Sequence, residues 1–450
     1  MVSLMNQFKI KDNSINTKDK FSNVTGLVSI VANKTLIELE KEGIFVFPET
    51  LRDAEDISKD QMILQEINDS FQSGNVMGFI GSGNEQLAIE SRFSEGEDYF
   101  FQYLLEMVLK VPNIVSLETE ASQDNKLYNL LLFLFPHYVQ DAMRKGLFKT
   151  YIRKEYNDSN VRGRIDIPTH IKKNIPFVGK IAYTQREFAY DNYLMELIRH
   201  TVEYIKRKSY GSKLLSSIKD EIELIIEATP NYRASERQKI IIANQKSIVQ
   251  HAYYHEYRAL QLLCILILRN EKHQFGLGTK RVYGILFDGA WLWEEYINIL
   301  INKDAERFYH PKNKAGSGAQ WLFHGSNGLI YPDFIGCNKD DRVIADAKYK
   351  YESGISGRDY LQVLAYMFRF DAKRGYYLYP DSKETGSTRL HLNSGVSFES
   401  VAPRDDIYVE KLGLKIPNGA TNYDDFVERI KESEKMFIAE LFANDAQMII

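Results

Sequence analysis

Two short apolar runs lie on either side of a polar turn between residues 328 and 350. The runs cover residues 329–336 and 343–349, and the turn at residues 338–341 reads Asn-Lys-Asp-Asp. Apolar runs bounded by turn-forming residues predict two strands joined as a hairpin. This hairpin constrains the fold more than any other stretch of the chain, because its pairing decides which acidic residues can meet.

Charged side chains gather on one face of the predicted hairpin. Side chains alternate along a strand, so Asp346, Lys348 and Lys350 share one face of the second run. Antiparallel pairing can place Asp333, from the first run, beside Asp346. Two carboxylates and a lysine would then converge. The alternative is a surface hairpin whose charges are only solvated.

Two carboxylates beside a lysine suit the hydrolysis of phosphodiesters. Carboxylate oxygens hold hard divalent cations, and Mg²⁺ keeps several waters and accepts phosphate oxygens as further ligands. The cation lowers the pKa of a bound water, while the lysine orients that water or stabilises charge developing on the phosphate. Asp333, Asp346 and Lys348 are therefore the candidate catalytic residues.

A helix is predicted before the hairpin, at residues 287–300, from apolar residues at helical spacing. Glu294 can reach the hairpin from this helix. Glu295 is its neighbour, and adjacent helix positions point about 100° apart, so only one of the two can face the site. The apolar stripe of the helix consists of Leu292, Tyr296, Ile299 and Leu300.

A second helix is predicted after the hairpin, at residues 359–368, and a strand follows at residues 375–379. Gln362 and Tyr366 lie one turn apart on this helix, which is otherwise apolar. The spacing therefore predicts a polar pair on one side of the helix.

The order of these elements resembles the core of the PD-(D/E)XK nuclease superfamily. The residues that carry the resemblance are Pro332-Asp333 and Asp346-Ala347-Lys348, with Glu294 before them and Gln362 after them. The resemblance implies a mixed sheet flanked by helices and a catalytic role for Gln362. It also implies that Mg²⁺ is bound by Asp333, Asp346 and Glu294.

Two further motifs narrow the resemblance to the McrC family, the nuclease subunits of McrBC-type restriction systems. Residues 346–350 read Asp-Ala-Lys-Tyr-Lys and residues 161–166 read Val-Arg-Gly-Arg-Ile-Asp, and the similarity extends from about Asn75 to about Pro380. It implies a Mg²⁺-dependent DNA endonuclease of a GTP-dependent phage-defence system. The implied partners are double-stranded DNA and a McrB-like AAA+ GTPase subunit. The chain has no GxxxxGK[ST] motif of its own, which fits a separate GTPase.

Two other function classes remain open. A self-contained RecB-like nuclease shares the same core and the Gln-x-x-x-Tyr helix. A non-catalytic adaptor would keep the fold and lose a ligand, yet Asp333, Asp346 and Lys348 are all present.

The length of 450 residues predicts two or three domains. We expect an α/β protein, α+β overall. Its predicted parts are an N-terminal α+β partner-interacting region at residues 1–115, a mostly helical middle domain at 116–275 and a nuclease domain at 276–450.

The formal net charge of −4 hides two charged windows. Residues 38–69 contain ten acidic and three basic residues, whereas residues 144–180 contain ten basic and three acidic ones. A helical pattern at Ile57, Met62, Ile63, Ile67 and Phe71 predicts a surface helix in the acidic window.

The basic window predicts contacts with DNA phosphates or with an acidic partner. Within it, Arg162 and Arg164 flank a glycine that allows close approach of the backbone. Lys350 and Tyr366 are further candidates for binding DNA or the partner.

The cysteine content and the lack of a predicted membrane span indicate where the protein acts. Two cysteines, Cys264 and Cys337, cannot form a disulfide framework and fit a reducing cytoplasm. No signal peptide or membrane span is predicted, so we expect a cytoplasmic protein.

His251, His255 and Glu256 have helical metal-ligand spacing, but they complete no HExxH motif and have no evident third ligand for zinc.

Overall fold

The computed structural model describes most of the chain, and its contacts divide the chain into two compact units. The first unit is Met1–Glu120 with Thr279–Ile450, and the second is Ala121–Gly278. The described residues are 6–42, 44–47, 61–109, 126–273, 282–311, 320–382, 387–395 and 401–443.

The first unit begins with strands and short helices around one apolar core. The strands are β1 (Asn6–Lys11), β2 (Ile15–Thr17), β3 (Ile44–Phe47), β4 (Leu64–Ile67), β5 (Ser70–Ser73), β6 (Val76–Ser82) and β7 (Glu85–Glu90). The helices are a 3₁₀ helix (Lys18–Val24), α1 (Thr25–Val31), α2 (Leu36–Glu42) and α3 (Tyr99–Leu109). The core between them includes Phe21, Leu27, Leu39, Ile80 and Leu87.

The second unit is mostly helical and carries a small antiparallel sheet. Its elements are α4 (Lys126–Met143), β8 (Thr150–Asp158), β9 (Arg164–Ile165), α5 (Ile167–Asn174), β10 (Ile181–Ala189), α6 (Tyr193–Lys206), α7 (Gly211–Leu215), α8 (Lys219–Ala228), α9 (Arg237–Lys246) and α10 (Glu256–His273), with 3₁₀ helices at Ser216–Ile218, Ala234–Glu236 and Ala252–Tyr254. The sheet has the order β8-β10-β9. Helix α10 packs against α4 and α6, and its Cys264 is fully buried.

The rest of the first unit follows in the sequence. Its elements are β11 (Val282–Asp288), α11 (Gly289–Ile301), β12 (Phe308–Tyr309), β13 (Gln320–Phe323), β14 (Asn327–Ile330), β15 (Phe334–Gly336), β16 (Val343–Ala347), a 3₁₀ helix (Glu352–Gly354), α12 (Arg358–Arg369), β17 (Arg374–Asp381), β18 (Thr388–Ser394), β19 (Ala402–Lys415) and α13 (Tyr423–Leu441).

Two larger sheets organise the first unit. A five-stranded sheet has the order β1-β7-β6-β11-β3, so β11 joins strands from the start of the chain. A six-stranded mixed sheet has the order β12-β15-β16-β17-β19-β18, with parallel pairing from β16 through β17 to β19 and antiparallel pairing elsewhere. The predicted α/β class with a mixed C-terminal sheet is confirmed. The division into three domains stays a prediction.

The predicted helix in the acidic window is wrong where the structure describes it. Residues 64–73 form the hairpin of β4 and β5, in which Ile67 pairs with Ser70. Asn68 occupies the turn with φ of 51°, a conformation that asparagine tolerates. The apolar spacing fitted a helix, but the turn residues decide the local structure. Ile57 lies outside the described residues.

The predicted first strand of the central hairpin is interrupted. Strand β14 ends at Ile330 and pairs with β13, whereas β15 begins only at Phe334. Pro332 lacks a backbone N–H and cannot donate to a sheet ladder, so the strand breaks there. Strand β16 ends at Ala347, which leaves Lys348 and Lys350 beyond its end.

Other predicted elements are confirmed within a few residues. These are the helices before and after the hairpin, now α11 and α12, and the strand β17. None of the helices in the described ranges is long and apolar enough to cross a membrane.

Candidate active site

Asp333 and Asp346 meet across the pairing of β15 and β16. The antiparallel register sets Phe334 opposite Ala345, which brings the preceding Asp333 level with Asp346. Asp333 Oδ2 accepts a hydrogen bond of 2.8 Å from the backbone N–H of Ala347. Asp346 is only 1% exposed. The structure therefore brings the two carboxylates together at the end of the buried strand β16.

Lys348 extends from the end of β16 back to these carboxylates. Its Nζ lies 2.6 Å from Asp346 Oδ2 and donates to Gln362 Oε1 at 3.1 Å. Gln362 Nε2 in turn donates to Tyr366 Oη at 2.7 Å. Gln362 and Tyr366 of α12 thus form a chain of hydrogen bonds with Lys348.

Burial and mutual repulsion shift the protonation equilibria of the carboxylates. Burial raises the pKa of Asp333 well above its usual value, and the charges of Glu294 and Asp346 raise it further. Burial also raises the pKa of Asp346, although Lys348 opposes the shift. The negative charges of these carboxylates repel each other, and a bound cation would offset this repulsion.

Lys348 has the opposite balance. Burial alone would lower the pKa of its ammonium group, but the charges of Asp346 and Asp333 outweigh burial and raise the pKa above its usual value. Lys348 is therefore a fixed positive charge at neutral pH.

The two neighbouring glutamates of α11 lie in different surroundings. Glu294 is 9% exposed, and its charge acts on Asp333. The Glu295 side chain is 34% exposed and contacts His310 at 3.6 Å. Helix α11 thus directs Glu294, rather than Glu295, towards the carboxylates.

His310 is a member of the site that the sequence reasoning missed. Its Nδ1 donates to the backbone carbonyl of Asp333 at 2.9 Å, and its Nε2 lies 3.9 Å from Glu294 Oε1. Its ring stacks on Phe334. Burial lowers the pKa of the imidazole, but Glu295 and the Asp333 carbonyl outweigh it and raise the pKa. No local pattern marks His310, because it reaches the site through the pairing of β12 with β15.

Lys350 and Tyr366 have partners of their own. Lys350 Nζ contacts both carboxylate oxygens of Asp359, at 3.0 and 2.8 Å. Tyr366 is buried, which raises its pKa to about 12, and it supports Gln362. Their predicted contacts with DNA or a partner stay predictions.

The site lies within the part of the chain that a family model matches. The model described as "McrBC 5-methylcytosine restriction system component" matches residues 71–380, which is more than half of the chain. The chain belongs to this family. The match confirms the McrBC resemblance inferred from the sequence, and its limits lie close to the predicted Asn75 and Pro380.

Solved McrBC complexes from Thermococcus gammatolerans are also similar to this family member. One, of McrB AAA+ hexamers with bound McrC, matches with 15% identity and a TM-score of 0.48, covering 95% of this chain and 99% of that chain. Another, the McrBC complex by cryo-electron microscopy, matches with 17% identity and a TM-score of 0.32, covering 68% and 89%. No curated protein matches the chain.

The Arg-Gly-Arg motif of this McrBC-family chain lies in the second unit. Arg162 and Arg164 are both exposed, and Arg164 begins β9. A Cβ atom on Gly163 would lie 2.2 Å from the carbonyl oxygen of Thr184 on β10. Only glycine allows this approach, so the motif holds two exposed arginines against a sheet edge.

The side chains near Asp346 fit a magnesium ion better than zinc. In the described ranges, no group of three or more His, Cys, Asp or Glu residues is arranged to hold a metal ion, and His251, His255 and Glu256 form no such group. Asp333 and Asp346 nevertheless offer carboxylate oxygens, and Mg²⁺ needs only one or two of these because it keeps its waters.

Proposed function

We propose that this chain is the McrC-type nuclease subunit of its restriction system and hydrolyses phosphodiester bonds of double-stranded DNA with Mg²⁺. The observation that carries the proposal is the convergence of Asp333, Asp346 and Lys348 at the end of one buried strand. A PD-(D/E)XK active site uses these residue types in this arrangement. Family membership supports the restriction setting.

Asp333 and Asp346 would hold the ion, with Glu294 as a supporting ligand. When bound, Mg²⁺ lowers the pKa of a coordinated water and offsets charge on the phosphate. Lys348 is protonated, so it stabilises negative charge on the phosphate rather than acting as a general base. Gln362 accepts a hydrogen bond from Lys348 and thereby directs the ammonium group.

We infer that the nuclease acts in the cytoplasm with a separate AAA+ GTPase. The chain carries no P-loop motif, and its membership of the McrBC family supports a restriction system in which another subunit hydrolyses GTP. In this arrangement the GTPase would supply the nucleotide-driven step, and this chain would supply the cut.

Cleavage of closed circular DNA tests this function against a RecB-like nuclease. The chain is purified alone and with the partner that copurifies from its host, and each sample is incubated with closed circular DNA or the same DNA linearised, with Mg²⁺, in the presence and absence of GTP. We expect cutting only with partner, GTP and Mg²⁺ together. Cutting by the chain alone, confined to DNA with free ends, would support the RecB-like alternative. No cutting in any sample would support the adaptor.

Glu294 and Glu295 provide a prediction within α11. Glu294→Gln should slow cleavage by roughly tenfold or more, because it removes a buried charge that acts on Asp333. Glu295→Gln should change the rate by less than about threefold, since Glu295 is more exposed and contacts His310. Initial rates at saturating Mg²⁺ measure both. Equal losses would remove Glu294 from the site.

The exposed arginines provide a prediction for DNA binding. Replacing Arg162 and Arg164 together with alanine should weaken DNA binding and reduce its dependence on salt concentration by roughly one unit of slope per lost phosphate contact. GTP hydrolysis by the partner should be stimulated as before. Binding is measured by fluorescence anisotropy across a salt series.

The matched control is the double alanine variant of Lys172 and Lys173, which are exposed in the same basic window. An equal loss in the control would show that only net charge matters. Unchanged DNA affinity with lost stimulation of the GTPase would place Arg162 and Arg164 at the partner instead.

A further inference from the structure

Tyr349 directly follows Lys348, yet its side chain points away from the carboxylates into the five-stranded part of the first unit. The side chain is buried, and its hydroxyl lies 2.8 Å from Ser91 Oγ and donates to Met77 Sδ at 3.3 Å. Met77 lies on β6, and Ser91 follows β7. The residue after the candidate catalytic lysine is therefore held by the N-terminal sheet.

Arg92 closes over the face of the same ring. Its guanidinium carbon lies 4.8 Å from the centre of the Tyr349 ring. Asp12, which is fully buried, holds Arg92 in place through an ion pair of 2.9 Å and a hydrogen bond of 2.6 Å from the Arg92 backbone N–H. Asn75 accepts a further hydrogen bond from the guanidinium. A cation over a buried aromatic ring favours one ring position.

Phe93 and Tyr351 add further contacts between this region and residues 91–93. The Phe93 and Tyr349 rings pack in a T-shaped arrangement with centres 5.1 Å apart, and the centres of the Phe93 and Tyr351 rings lie 4.8 Å apart. The Tyr351 hydroxyl donates to the backbone carbonyl of Arg92 at 2.9 Å. Residues on both sides of Lys350 are thus fastened to residues 91–93.

The start of α11 lies against the same ring. A Cβ atom on Gly289 would lie 2.7 Å from the Tyr349 ring, and the Gly289 N–H donates to the carbonyl of Asn75 at 3.1 Å. Helix α11 carries Glu294, so Tyr349 contacts the first residue of one site element and immediately follows Lys348 in another. A shift of Tyr349 would disturb both.

We propose that Ser91, Arg92 and Tyr349 are positioning residues for the active site, and that the N-terminal sheet fixes Lys348 beside Asp346 by holding both the hydroxyl and the ring of Tyr349. The inference rests on the proposed nuclease function. It assigns to the N-terminal part of the first unit a direct role in the geometry of cleavage, apart from any role in binding a partner.

Tyr349→Phe tests the proposal because it keeps the ring and removes only the hydroxyl. Tyr103→Phe is the matched control: Tyr103 is equally buried in the same unit, and its hydroxyl donates to Glu434 at 2.6 Å, away from Lys348. We expect Tyr349→Phe to lower kcat by roughly 10- to 100-fold with KM for DNA within about twofold, since small misplacements of reacting groups have effects of this size. Arg92→Lys, which keeps the charge, should cause a smaller loss of kcat.

A second readout does not depend on activity. The rate of Lys348 modification by an amine-reactive reagent is followed by mass spectrometry, with exposed Lys172 as internal reference. Lys348 is 15% exposed, and loosening its neighbour should raise its modification rate several-fold in Tyr349→Phe but not in Tyr103→Phe. Equal modification in the two variants, or wild-type kcat in Tyr349→Phe, would overturn the positioning role. If the positioning role is overturned, the nuclease function still holds as long as the wild-type protein cleaves DNA and Asp346→Ala does not.

Discussion

Asp346→Ala is expected to reduce Mg²⁺-dependent DNA cleavage by about 10³-fold or more, because it removes the nearest partner of Lys348 and, under the proposed function, a carboxylate that would hold Mg²⁺. The variant should fold, since the lost carboxylate is buried beside Asp333 and its pKa is already raised by burial. Plasmid cleavage under single-turnover conditions measures the rate, and thermal unfolding measures the fold.

Glu410→Ala is the control for Asp346→Ala. Glu410 is another buried carboxylate of the same six-stranded sheet, and it pairs with Arg389 at 3.0 Å. We expect it to lower stability and to leave the cleavage rate per folded molecule near that of the wild type. If Asp346→Ala still cuts at a rate comparable to the wild type, the site lies elsewhere.

Lys348→Met is expected to slow cleavage by about 10²- to 10³-fold, an effect typical of removing one group that stabilises transition-state charge. Methionine keeps the length and apolar part of the side chain while the positive charge is lost. Lys350→Met is the control, since Lys350 is two residues away and pairs with Asp359. A loss of similar size in both variants would mean that general charge, rather than the position of Lys348, matters.

Lys348→Met should also change how the stability of the protein depends on pH. Removing Lys348 leaves Asp346 buried without its counter-charge, so the folded-state pKa of Asp346 should rise further. A raised folded-state pKa favours the protonated form, so folding is least affected at low pH and loses stability as pH rises through that pKa. We expect Lys348→Met to lose up to about 3–5 kcal/mol of unfolding free energy at high pH and much less at low pH.

Urea unfolding in the presence of a chelator, at about pH 5 and about pH 8, measures the difference. The chelator is needed because a bound cation would replace the missing charge. A loss of stability that is the same at both values of pH would contradict the raised pKa of the buried pair.

Much of the site was predictable because its residues are encoded close together. Asp333, Asp346 and Lys348 lie within one short segment, in which turn residues and strand periodicity determine which side chains come together. Gln362 and Tyr366 follow from helical spacing alone, and the structure joins them by a hydrogen bond as the spacing suggests. The McrBC family match covers the same region.

Predictions from local patterns were wrong where the same spacing of apolar residues is compatible with more than one secondary structure. The apolar residues of the acidic window fit a helix, but Asn68 turns the chain into a hairpin. The apolar run at residues 329–336 also predicted a longer first strand than the chain forms. Pro332 has no backbone N–H to donate, and this interrupts the strand.

The sequence by itself determined the charged cluster, because hairpin pairing and helical spacing act over a few residues. Only the tertiary structure decided how that cluster is supported. His310 reaches Asp333 through strand pairing, Lys350 pairs with Asp359, and β11 enters the N-terminal sheet. Ser91 and Tyr349, whose side chains touch, are 258 positions apart in the chain. Such contacts depend on the packing of whole sheets, since no local periodicity links residues so distant in sequence.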